Sequence, residues 1–136
     1  MRRYLLDTGP LVAYLSNRPH VVAMVQPWLA SGELATSALV YAEVVEYLQA
    51  SPAYEQRKAQ LRRLLRTVYP YAPTYPVLER YARIRRQLRP PHGQGLIGDI
   101  DTLIAATALE RDLTVVTMDT DFQRVPGLKV MLLPRK

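Results

Sequence analysis

A chain of 136 residues is sized for one domain with a hydrophobic core of its own, and the lack of cysteine excludes disulfide staples and thiolate metal sites. Apolar residues make up 49% and charged residues 22%, which excludes a disordered chain, and no apolar run approaches the ~20 residues of a membrane span. The formal net charge of +6, carried mostly by arginine, biases the chain toward polyanions such as nucleic acid, with an ordinary solvated surface as the plain alternative.

The opening MRRYLLDTG carries no secretory core, so a cytoplasmic location is expected. Residues 3 to 6, RYLL, read as a buried strand, and the DTGP that follows signals a strand end with proline set to start a helix. Asp7 therefore sits at a strand's carboxyl end, either as the N-cap of that helix or as part of a site. Leu11, Val12, Tyr14 and Leu15 predict a short helix ended by NRP. A second amphipathic helix follows from Val21 to Ala30, with Trp28 in the core or between helices. A strand at Leu34 to Thr36 leads to Ser37 as a cap and a helix running to Ala50. Leu39, Val40, Val44, Tyr47 and Leu48 recur on it at helical spacing and should face the core. Glu43 lies at the edge of that stripe, where an exposed glutamate is the default, and Glu46 faces solvent.

From Ser51 to Arg89 the chain is helical and basic, with RKAQLRRLLR and ERYARIRRQLR split by TVYPYAPTYP. Val68 to Ala72 predicts a short edge strand, because Pro70 is tolerated only at an edge or a strand end. Arg62, Arg63, Arg66, Arg85, Arg86 and Arg89 fall on polar faces. Such runs are more commonly solvated than functional, but beside an acidic cleft they would guide a nucleic-acid backbone. RPPHGQG is a loop, and His92 in it reads as a loop residue rather than a ligand. The stretch LIGDIDTLIAATALERDLTVVTMDTDF comes next. Asp99 is placed to cap a helix, Asp101 lies in its first turn, ERD closes it, and LTVVT is a β-branched strand with Asp119 just beyond Thr117. A last strand at Lys129 to Leu132 precedes a basic tail.

Strands separated by helices imply βαβ units and a mainly parallel sheet, whose carboxyl edge is where ligands bind. Asp7, Glu43, Asp101 and Asp119 all fall at strand ends or in early helix turns. Hard oxygen donors of this kind suit Mg²⁺ or Mn²⁺, and such ions orient water for in-line attack on a phosphodiester. There is no GxGxxG, no GxxxxGK, no serine elbow and no histidine pair at metal spacing.

YLLDTGPLVAYL, SALVYAEVVEYL and IGDIDTLIAATALERDLTVVTMDTDFQRVPGLKV resemble the successive blocks of PIN domains, in particular the VapC-type toxins of prokaryotic toxin-antitoxin pairs. The last block is the most specific, and the resemblance spans nearly the whole chain. It implies a single PIN-like nuclease domain over residues 1–136, a three-layer α/β/α sandwich with a mainly parallel central sheet, and Mg²⁺- or Mn²⁺-dependent ribonuclease activity. It also implies a homodimer and neutralisation by a cognate antitoxin. The apolar load of Val21 to Leu29 adds to the dimer expectation.

Carried across by the resemblance, Asp7, Glu43, Asp101 and Asp119 are the catalytic acids. Asp7, Asp101 and Asp119 hold the metal, with Asp99 as a further acid, and Glu43 is a ligand or a water-positioning base. Thr8 and Thr117 stand where hydroxyls brace carboxylates or phosphate. Gly9 departs from an asparagine frequent in the family. The turn MDTDF is one residue short, leaving Asp119 and Asp121 as alternatives for the fourth acid, with Asp119 preferred because it is nearer the strand end. The alternatives from other classes are a receiver-like, non-catalytic Mg²⁺-binding module, a small acid phosphatase, and a housekeeping RNA-processing nuclease without an antitoxin. MRRYLLDTG lacks the acidic pair of the first and the DxDx[TV] of the second.

Overall fold

The structure, a computed structural model, describes residues 1–135. In chain order its elements are β1 (Tyr4–Leu6), α1 (Thr8–Leu15), α2 (Pro19–Ala30), β2 (Leu34–Ser37), α3 (Ala38–Leu48), α4 (Tyr54–Leu64) and β3 (Tyr69–Tyr71). They continue with α5 (Tyr75–Leu88), α6 (Asp99–Arg111), β4 (Thr114–Thr117), a 3₁₀ turn (Thr120–Arg124) and β5 (Val130–Leu132). The strands pair side by side in the order β3-β2-β1-β4-β5, and every pairing is parallel. Tyr4 stands opposite Leu34 on one side and Thr114 on the other. The order reverses direction between β1 and β4, so a crevice opens at their carboxyl ends. Right-handed crossovers carry α1 to α4 over one face of the sheet and α5 and α6 over the other, the three-layer arrangement expected from the resemblance.

Local chemistry explains most boundaries. Ser37 caps α3, its hydroxyl accepting from the Leu39 N–H at 3.0 Å. Asp112 takes the left-handed conformation at φ 56° and ends α6. Pro70 is accommodated because β3 is the sheet's outer strand. The middle of α6 is buried on most sides, with Thr102, Ile104, Ala105, Ala106, Thr107 and Ala108 inside, so it reads as a continuous apolar run rather than a stripe. Small side chains there bring its axis close to the sheet, and its first turn comes to lie beside the ends of β1 and β4.

Two expectations on the helices need correction. Asp99 does not cap α6: Gly98 is the capping residue and Asp99 is already helical. Tyr47 does not face the core. It is 62% exposed, because α3 turns only Val40, Val44 and Leu48 fully inward. On α2, Val21 and Val25 are fully buried and Trp28 stacks on Tyr4 at 4.0 Å, while Val22, Met24 and Leu29 are partly exposed.

Ile104 is fully buried between α6 and the sheet. Ile104→Ala is expected to cost about 3 kcal/mol of stability, and urea unfolding of the two proteins measures it.

Candidate metal centre

The parallel sheet gathers four acids from distant parts of the chain. Asp7 leaves β1, Glu43 lies in the second turn of α3, Asp101 in the first turn of α6, and Asp119 follows β4. All four line one open cleft of about 660 Å³, together with Thr8, Gly9, Glu46, Tyr47, Met118 and Arg135.

Threonine hydroxyls hold the arrangement. Thr117 is fully buried; its hydroxyl donates to Asp7 Oδ2 at 2.7 Å and accepts from the Asp119 N–H at 3.0 Å. One side chain thus ties the ends of β1 and β4. Thr8 donates to Glu43 Oε1 at 2.6 Å and brings α3 to the same edge. Asp7 occupies the N-cap position of α1 but makes no side-chain cap bond, so the purely capping role weighed for it is not realised. Its carboxylate is turned instead to Thr117 and into the cleft.

Glu43 is half-buried rather than exposed, held by that Thr8 bond. Asp119 Oδ1 accepts from the Asp121 N–H at 2.9 Å, capping the 3₁₀ turn. Asp101, Asp119 and Asp121 bring carboxylate oxygens within 4.8 Å of one another, so the tightest group contains both candidates for the fourth acid. Asp119 lines the cleft, whereas Asp121 is drawn aside by Arg124 at 3.3 Å. Asp99 joins neither group. Its carboxylate accepts from Arg85 at 2.7 Å and from the Tyr81 hydroxyl at 3.1 Å, because a residue two positions before Asp101 on a helix points some 200° around the axis, toward α5. Arg85 is correspondingly committed and not a free cation of the basic face.

Crowding carboxylates has a cost that shows in their protonation. Burial, and then the charges of Asp7, Asp119, Glu43 and Asp121, push Asp101 up to about 7. Burial raises Asp7 as well, against the Thr117 hydroxyl and the Thr8 N–H, which favour its charged form. The α6 N-terminus partly offsets this repulsion, since its unpaired N–H groups favour negative charge in the first turn. Oxygen-only donors, close-set and mutually repelling, are a donor set that a hard divalent cation would satisfy.

Sequence reasoning missed two wall residues. Met118 packs where Gly9 lacks a side chain, and a Cβ at Gly9 would lie 3.2 Å from its sulfur. Arg135, read only as part of a basic tail, lines the cleft because the chain after β5 stays beside β4, with the Leu133 N–H donating to the Thr117 carbonyl at 2.8 Å.

Two outcomes are expected. In metal-free protein Asp101 holds its proton in the folded state but not in the unfolded one between its ordinary 3.8 and about 7, so stability falls as pH rises through that window. Melting temperature should be higher at pH 5 than at pH 8, and Asp101→Asn should flatten the difference. Thr117→Val keeps the shape, removes both hydrogen bonds, and should cost about 2 kcal/mol while weakening Mn²⁺ binding, as read by calorimetry.

The comparisons with known proteins agree with this fold. The family model described as "PIN domain" matches residues 4–128. Ribonuclease VapC1 of Haemophilus influenzae strain R2866 is 29% identical over 132 residues, covering 93% of this chain and 94% of the relative. Among solved structures, VapBC-1 from nontypeable Haemophilus influenzae is 27% identical with a TM-score of 0.79, over 95% of this chain and 96% of that one. DNA-bound VapBC from Salmonella typhimurium shares the fold at a TM-score of 0.84 and 22% identity, over 96% and 98% of the two chains. With the family model spanning nearly the whole chain, the sheet order and the acidic crevice find their place: the protein belongs to the PIN-domain family.

Proposed function

We propose that the chain is a Mg²⁺- or Mn²⁺-dependent ribonuclease, one PIN-like nuclease domain, acting as the toxin of a toxin-antitoxin pair in the cytoplasm. The observation that carries the reading is the convergence of Asp7, Glu43, Asp101 and Asp119 on one cleft at the sheet's switch point. The family match and the similarity to proteins named Ribonuclease VapC1 support the same chemistry. They leave the receiver-like and phosphatase alternatives without support.

In the mechanism Asp7, Asp101 and Asp119 are the residues that would hold the ion, with Asp121 alongside and Asp99 outside. When bound, the ion lowers the pKa of a water and neutralises charge growing on a phosphoryl oxygen. To hold the ion Asp101 would have to be deprotonated, so binding would be tighter above its own pKa than below it. Glu43, its Oε1 held by Thr8, keeps its second oxygen available to the cleft, as a further ligand or as the base that positions the attacking water. Thr117 keeps Asp7 and Asp119 at a constant separation throughout. No covalent nucleophile is required. Exposed Arg62 and Arg63 of α4, with Arg66 in the turn after it, add sequence-independent attraction for the RNA backbone.

An antitoxin partner is supported by the VapBC complexes among the structural neighbours. Homodimerisation is proposed, with exposed Tyr75, Leu78, Leu96 and Ile100 of α5, α6 and their connection as apolar surface available to it beside the partly exposed residues of α2. Light scattering at micromolar concentration checks it, and a strict monomer removes it.

The test of the function sets activity against stability. Wild-type protein should cut labelled RNA only with Mg²⁺ or Mn²⁺, and Asp101→Asn should lose nearly all cleavage while melting no lower without metal. Mn²⁺ at a hundredfold excess over its dissociation constant stabilises wild type by about 2.7 kcal/mol, and the variant should gain clearly less. Cleavage by Asp101→Asn at the wild-type rate would overturn the site.

A further inference from the structure

Among the described residues the acidic cleft contains one cation that the four acids do not explain. Arg135 lines it together with Asp7, Glu43, Asp101 and Asp119, beyond the last strand and well away in sequence from the arginine-dense helices. Two backbone contacts put it there. The Leu133 N–H donates to the Thr117 carbonyl at 2.8 Å, so the segment after β5 continues alongside β4 up to the crevice. Arg18, at the start of α2, then donates from Nη1 to the Arg135 carbonyl at 2.6 Å.

An arginine beside four carboxylates has an obvious role as their counter-ion. The geometry does not give it that role: among the described residues Arg135 makes no ion pair within 4.0 Å of any acid, Glu46 on the same rim included, while six other pairs form elsewhere. Arg135 belongs to the lining of the cleft and is exposed, its backbone anchored by Arg18 and its side chain in no ion pair or hydrogen bond among the described residues. A planar fork of N–H groups in that position suits a phosphate oxygen, with charge and bidentate geometry together.

We propose that Arg135 is a substrate-binding residue of this cleft, its guanidinium gripping a backbone phosphate of the RNA next to the one cleaved. The proposal rests on the ribonuclease reading above and deepens it, by naming the group that offsets the repulsion between RNA and an acid-lined site. Arg18 is a positioning residue acting through the Arg135 main chain.

The experiment compares wild type, Arg135→Gln and Arg135→Lys in steady-state cleavage of a single-stranded RNA with Mn²⁺ over a range of salt, and in calorimetric Mn²⁺ binding without RNA. Arg135 is exposed, and melting curves confirm that each variant folds. Arg135→Gln should raise KM about five- to tenfold, with the smaller effect on kcat, as expected for one charge-assisted contact made equally in ground and transition states. The slope of log(1/KM) against log salt should flatten by about 0.7, one counterion contact on a single strand, and Arg135→Lys should restore it because the charge is kept. Mn²⁺ affinity without RNA should stay within about twofold, since the arginine bonds no ligand.

An unchanged KM and salt slope in Arg135→Gln, beside normal wild-type cleavage, overturns the assignment alone. So does a tenfold gain in Mn²⁺ affinity with KM unaltered, which would make Arg135 the counter-ion after all. Wild-type protein that binds Mn²⁺ but neither cuts nor retains single-stranded RNA overturns the ribonuclease reading and the Arg135 assignment together.

Discussion

The site depends on one buried hydroxyl. Thr117 sits fully enclosed at the end of β4, donating to Asp7 and accepting from the backbone of Asp119. Asp7 is itself buried, and a buried carboxylate without a donor would cost more than the fold readily supplies. The bond from Thr117 makes that burial tolerable, and the same oxygen orients the turn that carries the next acid. Register does the rest: Leu6 pairs with Val116, which leaves Asp7 and Thr117 side by side where the two strands end. Slipping this pairing by one residue would turn every side chain over and dissolve the site.

Around this link the fold trades stability for chemistry. Asp101 is held where burial and its neighbours push its proton affinity up to about 7, an arrangement with no structural benefit in metal-free protein. Other parts of the molecule have the opposite character. The Ser37 cap, the Arg80–Glu110 pair at 2.8 Å and the stacked Tyr4–Trp28 rings each satisfy local groups without strain. The cost is concentrated at the sheet's switch point, where strands of opposite progression leave a crevice that no helix fills.

Asp99 and Asp101 illustrate how finely helical geometry sorts equal chemistry. Both are aspartates in the same first turn, and both favour the helix N-terminus. Two residues of rotation send one to Tyr81 and Arg85 on α5 and the other to the acidic cleft. Asp99 is thereby a fastener between α5 and α6, an exposed one worth little by itself, and it stands apart from the acids that line the cleft.

Much of this was legible in the residues alone. The β-branched run at Thr114 to Thr117, the proline-flanked start of α1, the Ser37 cap and the apolar run of α6 are encoded in windows of a few residues, where periodicity and capping chemistry act directly. The positions of Asp7, Glu43, Asp101 and Asp119 at strand ends and early helix turns followed from those windows, and the resemblance of three blocks gave the family. What tertiary structure alone decided is partnership. That Thr117 meets Asp7 across 110 positions, that Met118 fills the space beside Gly9, and that Arg135 returns to the cleft all depend on β1 lying next to β4 and β4 next to β5. Tyr47 and Asp99 went the other way for the same reason: helical spacing places a side chain on a face, but which neighbour that face meets is set by packing between elements far apart in the chain.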